Sequence, residues 1–259
     1  ITATPTDGTT GDLCPIGHYC PEGVSAGIPC AVGTFTLSEG NENCDPCTKG
    51  FYCPGSNART TCPKGSYCVE GSDQAEPCPR GTLGLLLQMD SLANCTECEA
   101  GDYCGTPGQS VSDGACEAGF YCSSGSYTKF GGGINNANVS QPCLAGHYCL
   151  AGTGIPEGCP VGTYSASTGN DEIADCDDCL AGSYCATTGL SEVTGPCDAG
   201  YYCLAGSNVP NPTDGTKGNI CSPGTFCEIG SANETYCFAG TYNLNYGEEE
   251  CIDCPAGYY

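Results

Sequence analysis

The chain repeats one short motif, Cys-x-x-Gly-x-aromatic-Cys, from near its start to its end. The nine complete copies are Cys14–Cys20, Cys47–Cys53, Cys62–Cys68, Cys98–Cys104, Cys116–Cys122, Cys143–Cys149, Cys179–Cys185, Cys197–Cys203 and Cys221–Cys227. A tenth copy starts at Cys254 and reaches Tyr259, and four relatives that lack the second Cys start at Cys30, Cys78, Cys159 and Cys237. Such dense repetition predicts many small, similar units rather than one or two globular domains.

The motif positions have separate physical roles. Gly supplies a turn residue with positive φ, which only glycine adopts without steric cost, and this turn folds the second Cys back towards a partner sulfur. The aromatic side chain can lie flat on the disulfides, so a packing role is the simplest interpretation of the Tyr and Phe residues. No stretch holds a sustained helical period, and we expect short two-stranded ribbons near the Gly-Thr-Tyr segments.

The cysteine content defines the predicted fold class. With 27 Cys in 259 residues and few large aliphatic side chains, the chain is typical of disulfide scaffolds. We predict a small disulfide-rich, irregular fold with short β-ribbons and little or no helix, arranged as an elongated tandem-repeat rod. Such cysteine use also indicates an oxidising compartment, so we expect an extracellular protein, secreted or at the cell surface. No secretory leader or membrane span is recognisable, and a sequence that starts at Ile1 indicates an N-terminus that was processed or lies outside this segment.

The cysteine spacing divides the chain into a linker and four cysteine-rich segments. The linker is 1–13, the segments are 14–61, 62–142, 143–220 and 221–259, and the fourth segment is a truncated copy of the first. The second segment recurs in the third at a shift of 81 residues, and the first recurs in the fourth at a shift of 207. Because 27 is odd and the tenth motif stops one residue short, this register predicts that Cys follows Tyr259 and that the pattern continues.

The fixed register also predicts that essentially every cysteine is bridged. The cysteines assigned to disulfides are Cys30, Cys44, Cys47, Cys53, Cys62, Cys68, Cys78, Cys95, Cys98, Cys104, Cys116, Cys122, Cys159, Cys176, Cys179, Cys185, Cys197 and Cys203. Zinc ribbons built from the Cys-x-x-Cys pairs are the alternative, but two His in the whole chain, the sequons and the Gly-aromatic motif favour disulfides. No thioredoxin-like pattern and no Ser-His-Asp or Cys-His arrangement is legible, so we expect neither an enzyme nor a cofactor.

Charge limits the class of partner. Six Lys and Arg against 30 Asp and Glu give a formal net charge of −24, which argues against nucleic acid and against anionic lipid surfaces. The acidic residues are spread along the chain and indicate a solvated surface, and no spaced calcium loop is present.

Two surface features stand apart from the repeat. Asn94, Asn138 and Asn233 lie in N-glycosylation sequons, of which Asn94 is the weakest because the adjacent Cys95 can be bridged and crowd the site. The one strongly apolar stretch supplies a candidate contact patch whose members are Leu85, Leu86, Leu87, Met89 and Leu92. These side chains can cover a neighbouring repeat or dock another chain, and the sequence favours neither.

The stretch from Cys30 to Cys53, Cys-Ala-Val-Gly-Thr-Phe and then Cys-Asp-Pro-Cys-Thr-Lys-Gly-Phe-Tyr-Cys, resembles the ephrin-receptor-like cysteine-rich repeat. That repeat is related to the tumour-necrosis-factor-receptor and EGF-like modules, and its motif covers nearly the whole chain. The resemblance implies pairings similar to Cys30–Cys44, Cys47–Cys62 and Cys53–Cys68, whereas an EGF-like alternative pairs Cys14–Cys30, Cys20–Cys44 and Cys47–Cys53. Spacing does not choose between them. Uniform crossed pairing does not fit the motifs around Cys116–Cys149, so at least one motif is expected to close on itself.

The resemblance also suggests a function. Long arrays of such repeats are found in surface and adhesion proteins of protists and algae, and they resemble the shaft proteins of flagellar hairs, the mastigonemes. We therefore expect an extracellular structural protein, a glycosylated rod in a filament or surface coat, with itself or other filament subunits as partners. The rival is the ectodomain of a cell-surface receptor or adhesion protein that binds protein or glycan. A secreted enzyme would need a catalytic domain outside this segment.

Overall fold

The computed structural model describes residues 11–130 and 139–258, so most of the predicted linker, Asn138 and Tyr259 lie outside the described residues. The described residues form two compact units, one of residues 11–114, 123–128 and 139, and one of residues 115–122, 129–130 and 140–258. In neither unit do the described residues include a helix long and apolar enough to cross a bilayer. The division into four cysteine-rich segments stays a prediction.

The regular structure consists of very short strands. The strands before Gly114 are β1 (His18–Tyr19), β2 (Ile28–Pro29), β3 (Thr34–Phe35), β4 (Asp45–Pro46), β5 (Phe51–Tyr52), β6 (Thr60–Thr61), β7 (Ser66–Tyr67), β8 (Glu76–Pro77), β9 (Thr82–Leu83), β10 (Thr96–Glu97) and β11 (Asp102–Tyr103). The later strands are β12 (Gly114–Ala115), β13 (Phe120–Tyr121), β14 (Gln141–Pro142), β15 (His147–Tyr148), β16 (Glu157–Gly158), β17 (Thr163–Tyr164), β18 (Asp177–Asp178), β19 (Ser183–Tyr184), β20 (Gly195–Pro196), β21 (Tyr201–Cys203), β22 (Gly218–Ile220), β23 (Thr225–Phe226), β24 (Thr235–Tyr236), β25 (Thr241–Tyr242) and β26 (Ile252–Asp253). Over residues 11–130 and 139–258 the helices are the 3₁₀ turns η1 (Leu92–Asn94) and η2 (Ile173–Asp175). The predicted fold class, disulfide-rich with short ribbons and little helix, is confirmed.

Each hairpin joins one motif to the start of the next. In β7 and β8, for example, Ser66 pairs with Pro77 and Tyr67 pairs with Glu76, in antiparallel register. The Cys78 N–H then donates to the Gly65 carbonyl at 2.8 Å and closes the hairpin. We call the residues from the first cysteine of one motif to the residue before the next motif a rung, and we name each rung by that first cysteine.

Disulfides close within single rungs. Nine of the 13 disulfides join the two cysteines of a complete motif, six residues apart. The rungs that lack the second motif cysteine use a later one, and these pairs are Cys30–Cys44, Cys78–Cys95, Cys159–Cys176 and Cys237–Cys251. The Gly turn explains the short loops. Gly50 has φ +81°, and it brings the Cα atoms of Cys47 and Cys53 to 5.8 Å, which is a normal disulfide span.

This pairing corrects both schemes drawn from the resemblance. The ephrin-receptor-like scheme is right for Cys30–Cys44, and the EGF-like scheme is right for Cys47–Cys53. The crossed pairs Cys47–Cys62 and Cys53–Cys68 are wrong, because Cys62 pairs with Cys68. The pairs Cys14–Cys30 and Cys20–Cys44 are also wrong, because Cys14 pairs with Cys20. The expectation that at least one motif closes on itself is confirmed.

Neighbouring rungs are joined by backbone hydrogen bonds. The bonds between the Cys159 and Cys179 rungs run from Gly162 N–H to Cys185 O (2.9 Å), from Ser165 N–H to Leu190 O (3.0 Å) and from Gly189 N–H to Cys159 O (2.9 Å). The same three bonds join the Cys47 and Cys62 rungs of the first unit, from Gly50 to Cys68 (2.8 Å), from Cys53 to Ser72 (2.9 Å) and from Gly71 to Cys47 (2.7 Å). Rung contacts therefore depend on backbone geometry more than on side-chain identity, as expected of a repeat in which each unit binds its neighbours.

The motif glycine also allows contact with the rung after the next. A Cβ on Gly162 would lie 2.6 Å from the Gly206 carbonyl oxygen, and a Cβ on Gly119 would lie 2.7 Å from that of Gly169. Real Cβ atoms do not come this close to a carbonyl oxygen. At these two positions the glycine is therefore required twice, by its positive φ and by the close approach of a second backbone.

The interior of the rungs is mostly sulfur. Most motif cysteines are fully buried, and the buried apolar residues of the described ranges that are not cysteine are Phe35, Met89 and Val139. Phe35 packs on Cys47 and Cys53, which is the aromatic-on-disulfide arrangement expected from the motif.

Polar side chains occupy the interior where the second motif cysteine is missing. Asn243 takes that position in the Cys237 rung, accepts a 2.7 Å hydrogen bond from Gly224 N–H and donates to the Thr225 carbonyl. In the Cys159 rung Ser165 takes the position, and the nearby Asn170 donates to it at 3.0 Å and to the His147 carbonyl at 2.7 Å. Hydrogen bonds to the preceding rung thus replace the missing disulfide, and these buried groups are paired.

Candidate interaction surface

The apolar stretch after the Cys78 motif divides into exposed and buried members. Leu85, Leu86, Leu87 and Leu92 are exposed, with Leu86 at 69% of its full accessibility. Met89 is 4% exposed, and its carbonyl accepts a 2.9 Å hydrogen bond from Cys68 N–H. Met89 therefore lies inside the repeat, as expected of an apolar side chain that covers a neighbouring rung, and its backbone holds the turn that docks on the preceding rung. The four leucines remain available to a partner.

Two lysines flank the leucines. Lys64 precedes Gly65, whose N–H donates to the Gly84 carbonyl at 2.9 Å, immediately before Leu85. On the other side, Lys49 Nζ lies 3.2 Å from Asp90 Oδ2. A Cβ on the adjacent Gly50 would lie 2.8 Å from the carbonyl oxygen of Gln88, which follows Leu87. Both lysines are exposed. We call Leu85, Leu86, Leu87, Lys49 and Lys64 the leucine–lysine surface.

Arginines add to the positive charge of these rungs. Arg59 lies over the Phe51 ring at 4.6 Å, and Arg80 lies over the Tyr127 ring at 5.6 Å. Four of the six Lys and Arg residues of the chain thus fall between positions 49 and 80, in the first unit. The described residues of the second unit carry 16 Asp and Glu against two Lys.

The leucines are replaced in the second unit by Ala166, Ser167 and Thr168, and the turn that follows them is more acidic than in the first unit. At a shift of 81 residues Ser91, Leu92 and Asn94 become Glu172, Ile173 and Asp175, and η1 becomes η2. Candidate ligand oxygens of Asp171, Glu172 and Asp175 lie within 4.8 Å of one another, and all three side chains are exposed. Ile173 stands among them at 54% exposure. We call Asp171, Glu172, Ile173 and Asp175 the acidic surface.

Backbone hydrogen bonds fix one of these carboxylates. Asp175 Oδ2 accepts from the Asp171 N–H at 2.8 Å and from the Glu172 N–H at 3.2 Å. These two bonds, that from Asp171 first, hold the pKa of the Asp175 carboxyl below its usual value, because they stabilise the ionised form. Asp175 therefore has a structural role at the start of η2.

The two lysines beside the leucines are also replaced by uncharged residues in the second unit. Ala118 and Ala145 occupy the motif position that Lys49 and Lys64 occupy in the first unit. Gly119, which follows Ala118, approaches the turn at Gly169, just as Gly50 approaches the turn at Gln88. Equivalent backbone thus carries leucines and lysines in one unit and small side chains in the other, where the turn that follows them is acidic. This acidic turn was not predicted as a candidate surface, although comparison of the two segments at the 81-residue shift reveals it.

Two of the three sequon asparagines are described, one in a 3₁₀ turn and one in an exposed loop. Asn94 ends η1, and its Oδ1 accepts hydrogen bonds from Ser91 Oγ at 2.9 Å and from Ser91 N at 3.2 Å. The adjacent Cys95 is bridged to Cys78, as the doubt about this sequon supposed. Asn233 is exposed in the loop before β24. Asn138 lies outside the described residues. Glycosylation of all three stays a prediction.

The cysteines and histidines of the described ranges are placed as parts of the repeat. In three of the four Cys-x-x-Cys pairs the two cysteines belong to different disulfides, as with Cys44 and Cys47. In the fourth pair Cys251 is bridged to Cys237, and Cys254, in the incomplete motif, has no disulfide partner among residues 11–130 and 139–258. Nδ1 of His18 and Nδ1 of His147 each contact a carbonyl two residues earlier, at 3.3 and 3.1 Å, which is a local turn contact.

No model of a known protein family matches the chain, and a search of curated proteins finds no similar sequence. The 13 disulfides and the short antiparallel strand pairs are compatible with a cysteine-rich repeat array, and the ephrin-receptor-like identity remains a resemblance.

Proposed function

We propose that the protein is an extracellular structural protein, a glycosylated, disulfide-stapled rod that builds a filament or surface coat similar to a flagellar hair. The observation that carries the proposal is the contact between rungs. The same backbone hydrogen bonds join rungs in both units, although the side chains on them differ. A repeat joined in this way can be lengthened by duplication without redesign of each contact, which is the property that a filament shaft needs.

The disulfide content supports an extracellular location. Each closed loop adds about 2–4 kcal/mol by restricting the unfolded chain, and this permits short rungs whose interior is mainly sulfur. Bridges at this density form and persist in oxidising surroundings, so the proposal places the protein outside the cell. The exposed position of Asn233 suits an attached glycan.

A second candidate is an adhesion or receptor ectodomain. The observation that favours it is the leucine–lysine surface, whose leucines are exposed in the first unit and are replaced by Ala166, Ser167 and Thr168 in the second. A surface that is present once suits a specific protein partner as well as it suits another filament subunit.

Electron microscopy of native material distinguishes the two candidates. Antibodies raised against the described rungs should label extracellular filaments along their length, and mass spectrometry of those filaments should find the motif cysteines resistant to alkylation before reduction. Label confined to the cell membrane and released by detergent would support the ectodomain instead. Widespread alkylation without reduction would contradict both.

A further inference from the structure

We propose that the leucine–lysine surface of one copy of the chain binds the acidic surface of a second copy. This inference deepens the proposed structural role, on which it rests for its biological meaning. It commits to one occupant, a second copy, because side chains of complementary charge, each beside an exposed apolar side chain, are found on the chain itself.

The charges of the two surfaces are complementary. Lys49 and Lys64 are exposed beside the leucines, whereas Asp171 and Glu172 are exposed beside Ile173. Two copies with a net charge of −24 repel each other at long range, so close contact requires a local exception to that charge. Positions 49–80 are this exception, because they hold four Lys and Arg against three Asp and Glu, whereas the chain as a whole is strongly acidic.

The apolar parts are complementary as well. The three consecutive leucines form an exposed apolar turn, and Ile173 is an apolar side chain on a short 3₁₀ turn ringed by carboxylates. A contact that buries Ile173 on the leucines brings the carboxylates of Asp171 and Glu172 to the lysines at the rim. Interfaces with an apolar centre and a charged rim combine affinity from the centre with orientation from the rim.

Such a contact joins two different surfaces of the same chain. Each copy still offers an acidic surface after its leucine–lysine surface is occupied, so contacts of this kind propagate unless two copies pair reciprocally. Repeated contacts of this kind would bind copies of the proposed rod to one another side by side.

Sedimentation of the disulfide-bonded chain at low ionic strength tests the proposal. Leu86→Asp should weaken self-association at least tenfold, because it puts a carboxylate at the apolar centre. Lys64→Glu should weaken it about tenfold, and Glu172→Lys likewise. A mixture of Lys64→Glu copies with Glu172→Lys copies should regain association, because one mixed contact joins two unaltered surfaces and the other joins two surfaces with swapped charges. Lys217→Glu makes the same charge change at a residue that belongs to neither surface and should leave association unchanged.

Several results would overturn the inference. These are a wild-type chain that stays monomeric at about 100 µM, Leu86→Asp copies that associate like wild type, or a charge-swapped mixture that does not recover. Intact mass and circular dichroism confirm that each variant is folded and bridged. If native filaments exist but these variants associate normally, the surface is wrongly assigned and the structural role stands. If the variants behave as expected but native material forms no filament, the contact stands and the structural role fails.

Discussion

Substitution of Gly162 by Ala tests the close approach between a rung and the one after the next. Gly162 has φ +86°, where an L-residue costs about 1–2 kcal/mol. The new Cβ would lie 2.6 Å from the Gly206 carbonyl oxygen. That oxygen cannot move freely, because the Gly206 N–H donates to Cys179 O at 2.8 Å. Overpacking of this kind costs about 1–3 kcal/mol more, so we expect about 2–5 kcal/mol in total.

Hydrogen exchange is the suitable measurement, because a repeat opens locally rather than as a whole. The Gly206 amide should exchange about 30- to 4000-fold faster in Gly162→Ala, at roughly 1.4 kcal/mol per factor of ten. The matched control is Gly224→Ala, which has φ +85° and nothing within 4 Å of the new Cβ. There the Cys237 amide, which donates to Gly224 O, should change only about 5- to 30-fold. Equal effects at both positions would show that the approach of the second backbone costs nothing, and the argument would fail.

Three further substitutions probe single groups. Asn170→Ala removes the side chain that donates to the His147 carbonyl, and the lost pairing of buried groups should destabilise the Cys159 rung by about 1–3 kcal/mol, seen as faster local exchange. Gln88→Gly should stabilise its turn by about 1 kcal/mol, because φ is +61° there, and the amide at position 88 should exchange more slowly. The pKa of Asp175 is lowered in the folded chain, so its contribution is complete above the ordinary aspartate pKa and is lost as pH falls through the lowered value. The Asp171 amide resonance should report this loss on acid titration, and Asp175→Asn should abolish the transition.

The hairpins could be predicted from the motif, because the glycine turn and the cysteine spacing are local. Gly50 shows why: its positive φ alone brings Cys47 and Cys53 within disulfide reach. The pairing was nevertheless left open, because a resemblance to other modules brought crossed schemes with it. Local geometry was the better guide, since a six-residue loop around a positive-φ glycine can close without help from the rest of the chain.

The contacts between rungs could not be read from the sequence. Gly162 lies close to Gly206, which is 44 positions later in the sequence. A contact between two backbones leaves no pattern of side chains from which it could be predicted. The burial of Met89 beside three exposed leucines was hidden for the same reason: the rung register, and not hydrophobicity, decides which residue of an apolar stretch turns inwards.

Disulfides and glycines therefore hold this fold together at different levels. A disulfide keeps each rung closed, and no disulfide of the described residues joins one rung to another. The joining is done by backbone hydrogen bonds and by glycines that allow one backbone to approach the next. Exposed positions consequently carry few structural demands, and equivalent positions of the two units differ freely: Leu85 corresponds to Ala166, Lys64 to Ala145 and Ser91 to Glu172. A repeat with these properties can change its surface from rung to rung while it keeps the contacts between rungs, which suits the proposed structural role.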